Sequence, residues 1–184
     1  MELPFEGTYW IDPEQIIGGP CPGYSDEEGR EAILHGFLDS GIAALVSLQL
    51  DGEPDEDGKT FEEYWPDIVG DMAKLGADIE LMRFPLSDAA RPREDRIDEI
   101  MRALRTLTED DKLVYLHCGT GHGRTVMVGA CWLVESGLPP YEALEAITHR
   151  RDRQPELRGI PATEQAWQRT AVRRWGERER RRNG

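Results

Sequence analysis

The chain has 184 residues, 39% of them hydrophobic, enough to bury one sizeable core and few for two, so a single domain over residues 1–184 is expected. Its formal net charge of -14 is unevenly spread, with 25 acids and 7 bases in residues 1–100 against 11 and 15 in residues 101–184. This acidity argues against a general nucleic-acid partner, which would need a basic face to displace counterions, and no segment is apolar for long enough to cross a bilayer.

The first ten residues lack the charged and apolar regions of a secretory leader, and a soluble, cytoplasmic protein is expected. In chain order, a helical pattern over 26–40 precedes a β-rich run at 42–48. The acidic stretch 51–57 reads as a solvated segment. A second helix is predicted over 61–75, a strand over 79–84, a helix over 93–107 and a strand over 113–117. Helices over 124–136, 140–151 and 162–175 follow. Gly137 and Pro139 stop the first of these, and Pro140 suits the first turn of the next. The Arg-rich end, 176–184, is expected to be flexible. Strands alternating with helices imply an α/β fold with a central, mainly parallel sheet. The 124–136 helix is apolar on nearly every side and should be the buried one.

The chemistry concentrates between the last strand and that helix. His117-Cys118-Gly119-Thr120-Gly121-His122-Gly123-Arg124-Thr125 joins a buried-looking strand to an apolar helix through a turn with three glycines. Such a turn lets successive N–H groups converge on an anion, reinforced by the positive end of the helix dipole. A cysteine at the edge of that field, beside an arginine, can be held as the nucleophilic thiolate. Arg124 offers a fork that matches two phosphate oxygens. Thr125 could hydrogen-bond the thiolate and His117 could hold the loop backbone. His122 must project near the rim. Alternatively, Cys118 is a buried structural thiol and Arg124 a surface residue.

His117-Cys118, five residues, then Arg124-Thr125 resembles the signature loop of the cysteine-based protein tyrosine and dual-specificity phosphatase superfamily. The sequence departs from the commonest form at Thr120 and Val126, and keeps the reacting groups. The resemblance implies a three-layer fold and a phosphatase in which Cys118 attacks phosphorus and residues 119–124 bind the phosphate. It also implies a general-acid Asp on a loop about thirty residues upstream. Asp88, in Phe84-Pro85-Leu86-Ser87-Asp88-Ala89-Ala90-Arg91-Pro92, stands 30 positions before Cys118. Expelling a phenolate or alkoxide needs such a proton donor. Asp95 and Asp98 compete for this role but fall inside a predicted helix.

Pro161-Ala162-Thr163-Glu164-Gln165 resembles the family's glutamine-bearing motif, implying that Gln165 orients the hydrolytic water; a plain capping role is the alternative. The segment 10–23 resembles the family's opening strand, ending in a Gly-Pro turn. Cys21 is a candidate redox partner of Cys118. The three cysteines show neither a disulfide framework nor a metal-ligand spacing, so no metal and no cofactor are expected. Trp132, Trp167 and Trp175 read as packing residues, His35 and His149 as structural or surface residues, and Arg150, Arg151, Arg153 and Arg158 as a solvated helix end.

The expected partner is a phosphorylated protein or small phosphate ester. Phosphotyrosine is favoured, with phosphoserine and phosphothreonine open, because residues 119–123 include no lysine or arginine to hold extra phosphates. The alternatives are a phosphoinositide, inositol phosphate or nucleic-acid 5' phosphatase, a sulfurtransferase or arsenate reductase, and a phosphate-binding module without catalysis.

Overall fold

The computed structural model describes residues 3–13, 15–23, 26–54, 58 and 60–183, without the side chains of 61–63 and 183. Among them are five strands: β1 (Tyr9–Asp12), β2 (Ile16–Gly19), β3 (Ile42–Ser47), β4 (Glu80–Arg83) and β5 (Leu113–His117). They form one sheet in the order β1-β2-β5-β3-β4. β1 and β2 are an antiparallel hairpin, and the β2-β5, β5-β3 and β3-β4 pairs are parallel. The helices are α1 (Glu27–Ser40), α2 (Phe61–Lys74), α3 (Glu94–Glu109), α4 (Gly123–Glu135), α5 (Pro140–Arg151) and α6 (Ala166–Asn183).

Strand side chains alternate between the two faces of a sheet, and the core divides accordingly. On one face Ile17, Leu45, Leu113 and Tyr115 pack with Ile33, Leu34 and Phe37 of α1 and Tyr64, Ile68 and Met72 of α2. On the other, Ile16, Ala44, Val46, Val114 and Leu116 meet residues of α3, α4, α5 and α6. The result is the expected three-layer α/β arrangement. β5, covered on both faces, is buried at all five positions, as its unbroken apolar run requires. In α4 every residue from Gly123 to Val134 is buried, so it is the core helix its composition demands.

Three sequence expectations change. The segment near residue 10 forms two strands, four residues each, with Gly19 closing β2 just before Pro20. α6 begins at Ala166 rather than 162, because the Gln168 side chain turns back and its Oε1 accepts the N–H groups of Glu164 and Gln165 at 2.8 and 2.9 Å. The Arg-rich end continues α6 as helix, anchored by Arg178, which pairs with Asp98 of α3 (Nη1 to Oδ2 2.5 Å) and lies over the Trp175 ring. Of the acidic stretch 51–57, residues 55–57 lie outside the described residues.

Candidate active site

β5 delivers Cys118 at its carboxyl end, at the crevice where open α/β sheets bind ligands, and α4 begins five residues later. The intervening loop needs two of its glycines for different reasons. Gly121 has φ +74, and a β-carbon there would fall 2.4 Å from the carbonyl carbon of Gly19. A β-carbon on Gly123 would fall 2.3 Å from Gln168 Nε2 and 2.8 Å from Glu164 Oε2. The loop is also tied from below. Tyr9 donates its hydroxyl to Gly121 O (2.6 Å), and Cys21 N–H donates to Gly119 O (2.8 Å). Tyr115, from within β5, donates to Pro20 O (2.7 Å), so the β2 end is clamped against the loop.

Cys118 is 2% exposed, and Thr125 Oγ1 donates to its Sγ at 3.0 Å. His117 is buried and holds the loop through Nδ1, 3.2 Å from Cys118 O; burial pushes its imidazole down to about 4, so it is neutral at pH 7. At the start of α4, His122 supplies no side-chain cap, and the first turn holds no acid. The N–H groups there keep their capacity for an external anion.

Arg124 lies 4% exposed beside the loop. Its Nη1 donates to Leu86 O (3.1 Å) and to Glu53 Oε2 (2.7 Å), and Nη2 donates to Glu53 Oε1. Burial opposes the Arg124 charge, but Glu53 and the Cys118 sulfur hold the guanidinium above its ordinary value. Burial alone would raise the Glu53 carboxyl; Arg124 and the Leu50 N–H hold it below the usual range. The fork is thus fixed from behind by a carboxylate. Its Nε makes no hydrogen bond and lies 3.4 Å from Asp88 Oδ1. Asp88, half exposed on the loop after β4, is thus brought to the guanidinium. Asp95 and Asp98 sit on α3, paired with Arg93 and Arg178.

Gln165, by contrast, has an exposed side chain and reaches the site only through its backbone. Its neighbours come closer. Gln168 is buried against Gly123, and Glu164 accepts from the Thr120 side chain beside the loop. Burial and the neighbouring Asp88 push the Glu164 carboxyl above its ordinary value, against Arg124, Arg151 and Thr120. Cys21 and Cys118 are not joined by a disulfide.

Sequence reasoning passed over Glu53, Glu164 and Gln168. Glu53 had no local signal, since it lay within an acidic run that reads as solvent-facing. Gln168 is three residues beyond the expected glutamine, and its buried position on α6 follows only from how α6 packs on α4. The solvated reading holds for Arg153 and Arg158, which are exposed, but not for Arg151, which is fully buried, nor for Arg150, which donates to Ile11 O. Trp132 and Trp175 are packing residues as expected, with Trp132 Nε1 donating to Asp12 Oδ2 at 2.7 Å.

Residues 6–174 match the family model of the PTP-SAK domain, the dual-specificity and tyrosine phosphatase (DSP-PTPase) domain of Swiss Army Knife proteins. The chain belongs to this family. It is a cysteine-based, dual-specificity phosphatase-like hydrolase, and its substrates are phosphorylated. Among solved structures it is similar to a mutant form of Tk-PTP, with 23% identity, 95% of this chain and 97% of that one covered, and a TM-score of 0.69. It is also similar to PTPMT1 in complex with PI(5)P (15% identity, 97% and 100% covered, TM-score 0.69). A third is the core catalytic domain of the PP-IP phosphatase SIW14 from S. cerevisiae (13% identity, 100% and 93% covered, TM-score 0.62). These likenesses are likenesses of fold. No helix among the described residues is long and apolar enough to cross a membrane.

Proposed function

We propose that the chain hydrolyses phosphotyrosine-type monoesters through a cysteinyl-phosphate intermediate. The observation that carries this reading is the Cys118 sulfur, held by the Thr125 hydroxyl, in one site with an Arg124 whose Nε remains without a hydrogen bond and with the Asp88 carboxyl. Cys118 attacks phosphorus in line as the P–O bond to the leaving group breaks. Arg124 Nε and the N–H groups of residues 119–124 carry the charge of the equatorial oxygens. Asp88 gives its proton to the leaving oxygen and then takes one from the water that cleaves the S–P bond.

Of the segment expected to orient that water, Glu164 reaches the loop with its side chain, so Glu164 takes the role expected of Gln165. The residues around the phosphate position favour a lone phosphate. Residues 119–123 carry no lysine or arginine, and Glu53, Asp88 and Glu164 stand around them. A polyphosphorylated inositol or phosphoinositide would bring further negative charge against these carboxylates. That Cys21, Cys118 and Cys131 form no disulfide suits a reducing, cytoplasmic setting.

The test is a turnover profile over phosphotyrosine, phosphoserine and phosphothreonine peptides, inositol phosphates and a chromogenic aryl phosphate. Cys118→Ser should lower aryl phosphate turnover by roughly four orders of magnitude or more. Activity that survives in that variant overturns the mechanism, and a preference for inositol phosphates overturns the substrate class.

A further inference from the structure

A groove of about 810 Å³ lies between α5 and the segment 161–163 that leads into α6. Tyr141, Glu142, Glu145 and His149 of α5, with Leu138 before the helix and Asp152 after it, line one wall. Pro161, Ala162, Thr163 and Arg169 line the other. α5 turns Ala143 and Ile147 into the core, yet it also carries Tyr141 and Leu144 to the groove. It is therefore apolar on a second side, where Tyr141 is 71% exposed and Leu138, Leu144 and Ala162 are only half-buried. A solvent-facing apolar strip rimmed by charge is the usual mark of a surface that meets another chain.

The rim carries one sign of charge along α5. Glu142 to Asp152 spans about 15 Å of helix. Among the described residues no lysine or arginine forms an ion pair with Glu142, Glu145 or Asp152, and Glu145 accepts only from the Tyr141 hydroxyl beside it. On α3, by contrast, Asp98 and Glu99 are paired with Arg178 and Arg96. Arg169 is held on the far wall, where its Nη1 donates to Thr163 Oγ1 at 2.9 Å.

One end of the groove adjoins the active site. Asp152 follows Arg151, whose Nη2 lies 2.7 Å from His122 Nδ1 in the loop, and Thr163 precedes Glu164, which accepts from Thr120.

Resting on the reading of the chain as a phosphatase of phosphorylated polypeptides, we propose that this groove docks the substrate chain beside its phosphorylated residue. The docked segment carries cationic and apolar side chains, the cations against Glu142, Glu145 and Asp152 and the apolar groups on Leu138, Tyr141 and Leu144. Charge complementarity selects this occupant. An acidic segment would be repelled, and a neutral apolar one would cover three carboxylates without pairing them. An extended chain advances about 3.3 Å per residue, so four or five residues fill the length of α5. The loop reads the phosphate, and α5 reads the sequence next to it.

The experiment compares synthetic phosphotyrosine peptides that carry Lys-Leu-Lys-Leu-Lys before or after the phosphotyrosine, across a Gly-Ser spacer, with controls that have Ser for every Lys. At low ionic strength the wild type should show kcat/KM about tenfold higher for one basic peptide than for its control, with the difference in KM. The double variant Glu142→Lys, Glu145→Lys should lose this preference and hydrolyse an aryl phosphate, too small to reach the groove, at the wild-type rate. Glu28→Lys with Glu31→Lys makes the same change of net charge on α1 and should keep the preference.

Equal kcat/KM for both basic peptides and their controls in the wild type overturns the proposal, and that comparison needs no variant to fold. A preference that survives charge reversal on α5, or falls equally on reversal at α1, overturns it as well. Sedimentation supplies the remaining outcome, since a wild-type dimer that Glu142→Lys, Glu145→Lys dissociates would place a second copy in the groove instead. The two readings fail separately. A Cys118-dependent enzyme that turns over phosphotyrosine peptides without regard to their flanks removes only the docking surface, whereas turnover by Cys118→Ser, or an enzyme that takes inositol phosphates and no peptide, removes the reading on which it rests.

Discussion

Two helices, α1 and α4, begin with opposite provisions for the same backbone problem. The first turn of any helix leaves N–H groups without intrahelical acceptors and a partial positive charge. α1 settles both internally: Asp26 accepts the Gly29 N–H at 2.9 Å, and Glu27 and Glu28 complement the dipole. α4 has no side-chain cap, no first-turn acid, and a cysteine and an arginine at its entrance. A helix start that is closed by its own side chains contributes stability, while one left open by its sequence can take up charge from a nucleophile and a substrate.

This contrast can be broken from either end. The largest effect should come from the open end, where Arg124→Lys loses the fork and its bond to Glu53, and kcat/KM for an aryl phosphate should fall about a thousandfold. A loss under tenfold would mean that the loop N–H groups alone hold the phosphate. Next is Asp88→Asn, expected to slow a phosphotyrosine peptide about a hundredfold and an activated aryl ester, with its good leaving group, far less. Equal slowing of both substrates would place the proton donor elsewhere, with Glu164 the first alternative. The smallest effect belongs to the closed end. Asp26→Ala should cost about 1 kcal/mol in denaturant unfolding and leave turnover unchanged, and a loss of activity there would show that the two helix starts are not independent.

Much of this was legible in the sequence because it depends on local pattern. The run 113–117 is apolar without alternation, which marks a strand covered on both faces, and the turn after it is dense in glycine. Asp88 was placed by the resemblance, which implies an acid about thirty residues before Cys118, and a Pro-bounded loop stands there. What escaped depends on contacts between distant segments. The acidic run 51–57 looks uniformly solvated, yet one of its members turns inward to meet a guanidinium 71 residues away, a pairing that no period or spacing encodes. Arg150, Arg151 and Arg153 look alike as well. Which of them is buried is set by the rotation of α5 against β1, so Arg151 goes inside while Arg153 stays in water. The hairpin of β1 and β2 was hidden because its strands are four residues long and flanked by Asp12 and Pro13, which carry the signature of a turn.

The anchoring of the loop by the hairpin and its exit has a practical corollary. Tyr9, Gly19 and Cys21 shape residues 119 and 121 from outside the motif, by a hydroxyl, a steric stop and an amide. Residues 117–125 are therefore not a portable cassette. Grafted onto another strand and helix without this underlay, the nonapeptide would keep its chemistry on paper and lose the curvature on which it relies.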